Sequence, residues 1–495
     1  MDQFHFLPMK SCFFFFLLIP LISFSQPITV GPGGDFATLE AAVQSISPGD
    51  TVVVLNGTYD DGTQFLENLH GTAQAPIVIM AETQHGAVFE GGAEAIHLID
   101  CSHLALDGFR IREQTGNGIN IDDGGDYSTP AHHIVVRNCL FEDIDASGNN
   151  DFLKLSGLDS FVVENCSFFS GAAGSGIDMV GCHYGVIQDC YFEDAGSSGI
   201  QAKGGSRYIL IQRNDFRDID QRAINIGGST GLEFFRPPLP DPIVDAFEAA
   251  DIDVFSNVFI GSWSPIAYVG CVGARVRNNT IYRPENWALR ILQETTEPGF
   301  LACGDNEFSN NIVYLSADLT EVNIGPNTDP GSFGFSNNLW FNESGGGGWS
   351  PVLPVADPAQ VVDDPLFVDP WMGFQLLPNS PCIGAGKVFP EPGTDFSGQA
   401  FLVPPSIGAI EGGQGPSAVT EAQEGEVSVF PNPGGDMLFV AGTGNSVKFR
   451  LANSSGITVM QGNGREIPIL HLPEGVYYLW VEGKGKAMKV VVGRR

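Results

Sequence analysis

The chain has 495 residues, of which 43% are hydrophobic, and its formal net charge is −34 at pH 7. The charge is uneven: residues 427–495 contribute +4 and residues 1–25 contribute zero, so residues 26–426 carry −38. Such an acidic body repels a phosphate backbone, which excludes nucleic acid as the expected partner.

The first predicted element is a signal peptide over residues 1–25. Lys10 precedes an apolar run over residues 12–24, and Ser23 and Ser25 are small residues suited to a cleavage site before Gln26. The run is too short to span a membrane, and no later segment approaches the roughly twenty apolar residues that a span needs. We therefore expect a mature chain without a membrane span that is secreted or held at the cell surface.

A repeat predicts that residues 26–411 form an all-β solenoid, a right-handed parallel β-helix. The repeat is a triplet: a small polar residue or Cys, any residue, and a large apolar residue. Its first residues are Asp107, Cys139, Cys166, Cys190, Asn214, Asn257, Asn279, Asn311 and Asn338. The steps run from 22 to 43 residues, as in solenoids built of stacked coils. Stacking predicts a hydrogen-bonded ladder of the Asn side chains and buried free thiols in the Cys positions. The pairing state of Cys101, Cys271, Cys303 and Cys382 is left open.

The start of this region predicts a helix that covers the open end of the solenoid. Residues 36–46 place Leu39, Val43 and Ile46 on one helical face. The segments that follow, PGDTVVVLNGTY, APIVIMAE and LALDGFRI, resemble the opening coils of pectin-lyase-like β-helix proteins. The resemblance implies the same fold and a role on polysaccharide, but this scaffold carries lyases, hydrolases, epimerases and adhesins alike.

Seven predicted strands share an apolar–X–apolar pattern whose middle residues are expected to form one outward column. In chain order these residues are Asn120, Lys154, Asp178, Gln201, Asn225, Ala267 and Arg290. Six of the fifteen Lys and Arg in residues 26–426 lie between 154 and 222, so the column is a positive island that suits an acidic glycan.

Elimination from a uronate needs a base and positive charge near the substrate carboxylate. Lys154 is the first candidate base and Lys203 the second, because a lysine loses its proton more readily than an arginine. The candidate substrate-binding residues are Asn120, Asp178, Gln201, Arg222, Asn225 and Arg290. The alternative for Lys154 is a surface salt bridge with Asp178.

Two short motifs extend the resemblance to one pectate lyase family. The segment FLKLSG around Lys154 resembles the segment that carries the base lysine there, and Asp122-Asp123-Gly-Gly-Asp126 resembles its calcium motif. The resemblance implies Ca²⁺ held by Asp122, Asp123 and Asp126, and carboxylate oxygens are the ligands that Ca²⁺ prefers. In the family the acidic motif precedes the strand, whereas here it follows it, so a solvated acidic turn is the alternative.

Aromatic and histidine residues near the predicted binding face are the last features of the β-helix region. The 43-residue step contains an insertion, residues 231–240, that is expected over the binding face. Trp263, Tyr268 and Trp287 flank the same face, whereas the pair His132-His133 is expected to be isolated in a turn.

The chain ends with a predicted linker over residues 412–426 and a small β-sandwich over residues 427–495. The tail starts with Phe430-Pro-Asn-Pro433, contains Gly456, Leu472, Gly475 and Tyr477, and closes with Lys489-Val-Val. These features give it a resemblance to the type A C-terminal sorting domain of the type IX secretion system of Bacteroidetes. The resemblance implies export through the outer membrane, with the type IX secretion machinery as partner.

Together these features predict an exported β-helix protein that acts on or binds polysaccharide, foremost a lyase on a uronate-containing glycan. The alternative is a non-catalytic glycan-binding protein, surface scaffold or adhesin. Neither the stacked Asp motifs and Gly-His-Gly of polygalacturonase-type hydrolases nor the Tyr-Gly-Phe-Asp-Pro-His motif of alginate epimerases occurs.

Overall fold

The structure, a computed structural model, describes residues 26–126, 128–144, 148–171, 173–370, 373–391, 393–412, 428–430, 437–441, 448–453, 458–463, 466–469, 472, 475–481 and 488–492. The predicted signal peptide and the predicted linker after residue 412 lie outside these residues. The chain divides into two compact units, Met1–Gly413 and Gln414–Arg495.

The first unit is a right-handed parallel β-helix, as the repeat predicts. Each coil contributes one strand to each of three long parallel sheets, with a turn between successive strands. Strands alternate buried and outward side chains, for example buried Ile77, Ile79 and Ala81 around half-buried Val78 and Met80. The buried positions of all coils therefore form one continuous core inside the solenoid.

Sheet 1 has 13 strands. They are Ile28–Val30, Thr51–Val54, Ile77–Ala81, Ser102–Asp107, Ala131–Arg137, Leu158–Glu164, His183–Gln188, Ser206–Gln212, Ala249–Phe255, Cys271–Val272, Arg275–Arg277, Glu307–Ser309 and Gly334–Ser336. Sheet 2 has 10 strands. They are Gln64–Glu67, Ile96–Ile99, Ile119–Asp122, Leu153–Ser156, Ser175–Val180, Ser198–Lys203, Arg222–Gly227, Ser264–Val269, Trp287–Leu292 and Thr320–Ile324.

Sheet 3 has 12 strands. They are Gly57–Tyr59, Ala87–Glu90, Arg110–Arg112, Leu140–Ile144, Ser167–Gly171, Tyr191–Ala195, Asp215–Arg217, Val258–Ile260, Thr280–Tyr282, Ile312–Leu315, Leu339–Asn342 and Val361–Val362. Three further short elements are the 3-10 helices Leu232–Phe234 and Pro330–Ser332 and the antiparallel pair Phe367–Asp369 with Gly373–Leu376.

A row of phenylalanines shows how identical positions stack in the core. Phe141, Phe168, Phe192, Phe216 and Phe259 are fully buried, and neighbouring rings lie 4.7–5.0 Å apart between centroids, within 10° of parallel. This spacing equals the separation of adjacent strands, so the repeat of the sequence becomes a column of rings.

The predicted asparagine ladder is present. Asn214, Asn257, Asn279, Asn311 and Asn338 are fully buried, and each donates its backbone N–H and its Nδ2 to the Oδ1 of the next asparagine at 2.9–3.2 Å. The ladder ends at Asp357, whose Oδ2 accepts both donors of Asn338 at 3.0 and 2.9 Å. These bonds satisfy polar groups that burial would otherwise leave unpaired.

The thiols are buried and free, as predicted for Cys139, Cys166 and Cys190. The same holds for Cys101, Cys182, Cys271, Cys303 and Cys382. The sulfur atoms of Cys271 and Cys303, for example, lie 4.0 Å apart, about twice the length of a disulfide bond.

The N-terminal cap is shorter than the sequence predicts. An α-helix covers Leu39–Ala42 and a 3-10 helix continues over Val43–Ser45. The helix begins at Thr38, whose side chain accepts from the Ala41 N–H, and Leu39 is buried while Val43 and Ile46 pack against the core. The three predicted apolar residues therefore do cover the end of the solenoid.

The second unit is a small antiparallel β-sandwich. One sheet comprises Ser428–Phe430, Met437–Ala441 and Glu466–Pro468, and the other comprises Lys448–Asn453, Thr458–Asn463, Gly475–Val481 and Met488–Val492. Leu438 and Ile467 of one sheet share a buried cluster with Leu451, Leu479 and Val490 of the other. None of the helices in the described ranges has the length and hydropathy that a membrane span requires.

Candidate functional site

The predicted outward column of sheet 2 is present in register. Strand pairing aligns Asn120, Lys154, Asp178, Gln201, Asn225, Ala267 and Arg290 on successive coils. The column begins earlier than predicted, because His97 pairs in register before Asn120.

The expectation that the whole column faces solvent is wrong. Asp178 and Ala267 are fully buried and Asn225 is 2% exposed, whereas Asn120, Lys154, Gln201 and Arg290 are half-buried. Long side chains lie over the short residues: Lys154 and Lys203 of the neighbouring coils contact Asp178. A long side chain of the same strand has this role at Asn225. The side chain of Asn225 accepts from Arg222 at 3.0 Å.

The backbone at Gly228 covers the middle of the column. Gly228 has a φ of 153°, a backbone conformation that favours glycine, and a Cβ here would lie 2.6 Å from Gln201 Nε2 and 3.3 Å from Lys203 Cδ. The segment that follows is held by the buried Glu248, which accepts from the Gly204 N–H at 3.1 Å and from the Thr230 N–H at 3.0 Å.

The insertion over residues 231–240 follows the turns between sheets 2 and 1 rather than crossing the column. Arg236 donates to Gly181 O at 2.9 Å and to Asp159 at 2.8 Å, and its N–H donates to Gly204 O at 3.0 Å. Phe235 is buried, while Phe234 is exposed. The prediction that this insertion sits over the binding face is therefore wrong for the backbone anchored by Arg236.

Two lysines and two carboxylates form a compact group on sheet 2, the lysine cluster, made of Asp151, Lys154, Asp178 and Lys203. Lys154 Nζ donates to Asp178 and, at 3.1 Å, to Asp151 Oδ2. Lys203 Nζ lies 3.3 Å from Asp178 Oδ1, and both carboxylate side chains are 1% exposed. The four charges cancel, so the salt bridge that was the alternative for Lys154 is present in a nearly buried form.

Asp151 was missed by the sequence prediction. It lies in the turn before the Leu153–Ser156 strand, where the column pattern does not extend, and it is fixed by the Ser175 N–H at 2.6 Å. Burial and the charge of Asp178 raise the pKa of its carboxyl group. The only signal in the sequence is its i, i+3 spacing from Lys154.

Lys154 is held in its charged form in this arrangement. Burial acts to lower the pKa of its ammonium group, but the charges and hydrogen bonds of Asp178 and Asp151 outweigh burial and raise it. The resting lysine cluster therefore presents Lys154 as a cation, and a role as base requires a group that accepts its proton.

Further along sheet 2, a partly exposed group combines cations with aromatic rings. This arginine–tryptophan patch consists of Arg222, Trp263, Trp287 and Arg290. The Arg290 guanidinium lies over the Trp287 ring, 4.6 Å from its centroid, and the two tryptophan rings meet edge to face at 6.2 Å. Arg222 pairs with Glu294 at 3.0 Å, whereas among the described residues no ion pair is found for Arg290. Partial burial and the charge of Arg222 lower the pKa of Arg290.

Tyr268, expected beside the tryptophans, points into the solenoid instead. Its side chain is fully buried, its hydroxyl donates to Glu307 O at 3.1 Å, and its ring packs edge to face on Phe333. Trp263, in contrast, is 44% exposed. The alternation of the Ser264–Val269 strand places Tyr268 on the opposite face from Ala267.

The three aspartates of the predicted calcium motif do not converge. Asp122 accepts from His97 at 2.6 Å, Asp126 accepts from Ser128 at 2.7 Å, and Asp123 is 6% exposed with one carboxylate oxygen that no described group contacts by a hydrogen bond. Burial raises the pKa of Asp123. This donor set does not fit a hard cation, which needs several oxygens directed at one point. Calcium binding here stays a prediction that the arrangement does not favour.

His97 forms a charged triad with Asp122 and Glu94. Its Nε2 lies 2.6 Å from Asp122 and its Nδ1 lies 3.1 Å from Glu94. The hydrogen bond to Asp122, then that to Glu94, raises the pKa of His97 to about 9. Because the folded pKa exceeds the unfolded value of about 6.5, the triad stabilises the fold fully below pH 6.5 and loses this contribution as the pH rises through 9.

We therefore expect His97→Gln to destabilise the fold at pH 6 and to leave its stability unchanged near pH 10. Solvent screening reduces the contribution of such a triad to about 1 kcal/mol, so the wild type should be more stable than the variant by that amount at pH 6 and equal to it near pH 10. Urea unfolding of both proteins at the two pH values measures the difference. A difference that does not change with pH would show that Asp122 and Glu94 do not hold the histidine charged.

Two family models match the chain. Residues 82–235 match the right handed beta helix region, and residues 428–492 match the secretion system C-terminal sorting domain. The second match confirms the sorting domain and, with it, export by the type IX system to the cell surface or the medium. No curated protein matches the chain.

Several solved β-helix structures resemble the chain at low identity. An alginate lyase from Paenibacillus sp. str. FPU-7 is 15% identical, with a TM-score of 0.42, over 61% of this chain and 95% of that one. Pectate lyase Pel9A is 15% identical, with a TM-score of 0.48, over 76% of this chain and 91% of that one. A rhamnogalacturonan lyase is 15% identical, with a TM-score of 0.45, over 63% of this chain and 87% of that one.

Proposed function

We propose that this right-handed parallel β-helix protein, exported through its C-terminal sorting domain, binds and acts on an acidic polysaccharide along the outer face of sheet 2. The observation that carries the proposal is the arginine–tryptophan patch. Arg290 is a cation without an ion pair among the described residues, and it lies against Trp287 on a body that carries −38.

The chemistry of this patch suits a uronate. A guanidinium binds a carboxylate through two parallel hydrogen bonds, and an indole ring offers an apolar surface for a sugar ring. On an acidic body such a patch directs the carboxylates of a glycan to one place, because the rest of the surface repels them.

The patch and the lysine cluster lie on the same face. Lys154 and Arg290 are separated by five strand steps, which is about 24 Å at the spacing of adjacent strands. A chain of several sugar units bound at Arg290 and running along the outer face of sheet 2, over the backbone at Gly228, reaches Lys154.

The finer proposal is β-elimination with Lys154 as base and Lys203 steadying the substrate carboxylate. Asp151 is the group that can take the proton of Lys154, since its Oδ2 lies 3.1 Å away and its pKa is raised. Lys154 would then accept the proton α to the uronate carboxylate. The electrons of that C–H bond would form a C=C bond as the glycosidic C–O bond at the β carbon breaks, and the leaving oxygen would take a proton from water. Gln201 is placed to orient the ammonium of Lys203, 3.4 Å from its Oε1.

A second candidate function is glycan binding without turnover, as in a surface scaffold or adhesin. It is favoured by the full pairing of both lysines with Asp151 and Asp178, which leaves no free base in the resting arrangement. Elimination and simple binding therefore differ in whether the lysine cluster opens when a glycan is bound.

The test uses the full mature chain with pectin, alginate and ulvan, and dextran as a neutral control. Binding is measured by affinity electrophoresis, and elimination by the absorbance of unsaturated product near 235 nm. We expect retention on an acidic glycan, little on dextran, and weaker retention of Arg290→Ala, with Arg275→Ala on sheet 1 as the matched control. Retention without product would favour the second candidate, and retention on none of the acidic glycans would refute both.

A further inference from the structure

Three histidines meet at the edge of sheet 1, on a different face from the proposed glycan site. His103 belongs to the Ser102–Asp107 strand, and His132 and His133 belong to the Ala131–Arg137 strand of the next coil. The expectation that the pair His132-His133 is isolated is therefore wrong, because the coil repeat places His103 directly beside it.

The backbone explains this arrangement. Strand pairing aligns His132 with Ser102 and Ile134 with Leu104, so His133 and His103 occupy the same unpaired position one coil apart. Both have the left-handed backbone conformation, with φ of 55° and 48°. Their rings stack at 4.4 Å between centroids and 22° between planes, so both imidazoles project from one point on the surface.

His132 completes the group from the neighbouring position. Its ring meets those of His103 and His133 edge to face, at 5.2 and 5.1 Å between centroids. Its Nδ1 lies 2.9 Å from the Nδ1 of His133. One ligand nitrogen from each of the three residues lies within 4.8 Å of the other two.

We propose that His103, His132 and His133 bind one late first-row transition metal ion, of which Zn²⁺ is the probe. Zinc–imidazole bonds of 2.0–2.1 Å place ligand nitrogens about 3.3 Å apart in a tetrahedral site. The three side chains are half-buried or exposed, so modest rotations about their side-chain bonds close the remaining distance. Imidazole ligands suit Zn²⁺, Co²⁺, Ni²⁺ and Cu²⁺ rather than Ca²⁺ or Mg²⁺.

The electrostatics of the group favour a metal over bound protons. Partial burial, then the charges of neighbouring histidines, lower the pKa of His103 and of His132, so the lone pairs are available near neutral pH. Asp100 and Asp159 act on His132 in the opposite sense, and His70 acts with His133. The −38 body attracts a dication to this surface.

The site is of the open kind. Three protein ligands leave a fourth tetrahedral position for water or for an oxygen of an external ligand. This inference is independent of the proposed glycan site, because no residue of the lysine cluster or of the arginine–tryptophan patch belongs to it.

The test is metal binding by the full mature chain carrying no polyhistidine tag. Co²⁺ is followed by its visible absorption, and Zn²⁺ by competition with a chromophoric chelator at pH 7.5. We expect one ion per chain and release of the ion at pH 5.5, where imidazoles take up protons.

The variants are chosen so that the backbone is not strained. His103→Asn and His133→Asn remove an imidazole but keep a residue that tolerates the left-handed conformation. Each should weaken Zn²⁺ binding at least about 100-fold, since loss of an outer-shell partner alone costs 10–100-fold. His132 does not have a left-handed backbone, so His132→Gln is used at this position, and it should also weaken Zn²⁺ binding. His85→Asn is the matched control, because His85 also has a left-handed φ, of 60°, outside the group.

Each outcome decides the proposal. Loss of binding in the three variants, with unchanged circular dichroism and with binding retained by His85→Asn, supports it. A wild type that binds no stoichiometric Zn²⁺, or folded His103→Asn and His133→Asn variants with wild-type affinity, overturns it.

Discussion

Replacing Lys154 by arginine is expected to leave the chain folded and able to bind an acidic glycan, while elimination slows by about 10²–10⁴-fold. The guanidinium keeps a positive charge between Asp151 and Asp178, so the lysine cluster stays neutral. Arginine does not release its proton at accessible pH and cannot act as the base.

Arginine is a sharper replacement than alanine at this position. Both carboxylate side chains that Lys154 contacts are 1% exposed, and removing one partner from a buried ion pair costs about 3–5 kcal/mol. Lys154→Ala would therefore mix loss of chemistry with loss of stability. The enclosed side chain of Lys154 therefore bears on the stability of the fold as well as on the proposed chemistry.

The measurement is the initial rate near 235 nm on the glycan that yields product, together with the urea unfolding midpoint. Lys387→Arg is the matched control, because Lys387 pairs with Glu307 at 3.3 Å on an exposed part of the same solenoid. A Lys154→Arg protein with the full wild-type rate would remove Lys154 from the reaction.

Deleting residues 427–495 is expected to abolish delivery to the cell surface and to leave the β-helix folded inside the periplasm. Residues 428–492 match the sorting domain, and the buried cluster of this unit contains no residue of the solenoid core. Each unit has its own buried cluster, so we expect the β-helix to keep its core when the tail is removed.

The experiment compares full-length and truncated protein in a host with a type IX system, by fractionation and immunoblotting. Protease resistance of the periplasmic product reports whether the solenoid is intact. In the reciprocal control, residues 427–495 fused to a periplasmic reporter should carry that reporter outward. A truncated protein that still reaches the surface would show that the tail is not the sorting signal.

The alignment of the column of sheet 2 could be predicted from the repeat, but the solvent exposure of its side chains could not. Register follows from the alternation of the strands, so Lys154, Asp178 and Arg290 could be aligned from the sequence. Burial of Asp178 depends on Lys154 and Lys203 of the two neighbouring coils, whose ammonium groups contact its carboxylate, and no local pattern encodes those contacts.

The residues that were missed lie just outside the repeat or far apart in the chain. Asp151 precedes its strand and joins Lys154 through a turn, so a pattern centred on the strand does not include it. His103 and His133 are 30 residues apart and meet because both coils carry the same unpaired backbone position. The predicted calcium motif shows the opposite case. Its aspartates are close together in the sequence, but their carboxylates accept hydrogen bonds from different partners.

The carboxylate of Asp357 gives the asparagine ladder a terminus with a definite polarity. Each asparagine donates its backbone N–H and its Nδ2 to the Oδ1 of the following coil, and its Nδ2 also donates to a backbone carbonyl of the preceding coil. The last donors of the row are therefore those of Asn338, and the anion of Asp357 accepts them. Without it, the donors of half-buried Asn337 and buried Asn338 would lose their acceptor. Unpaired donors at the end of a stack are a template for another copy, so pairing them within the chain removes one place where end-to-end growth could start.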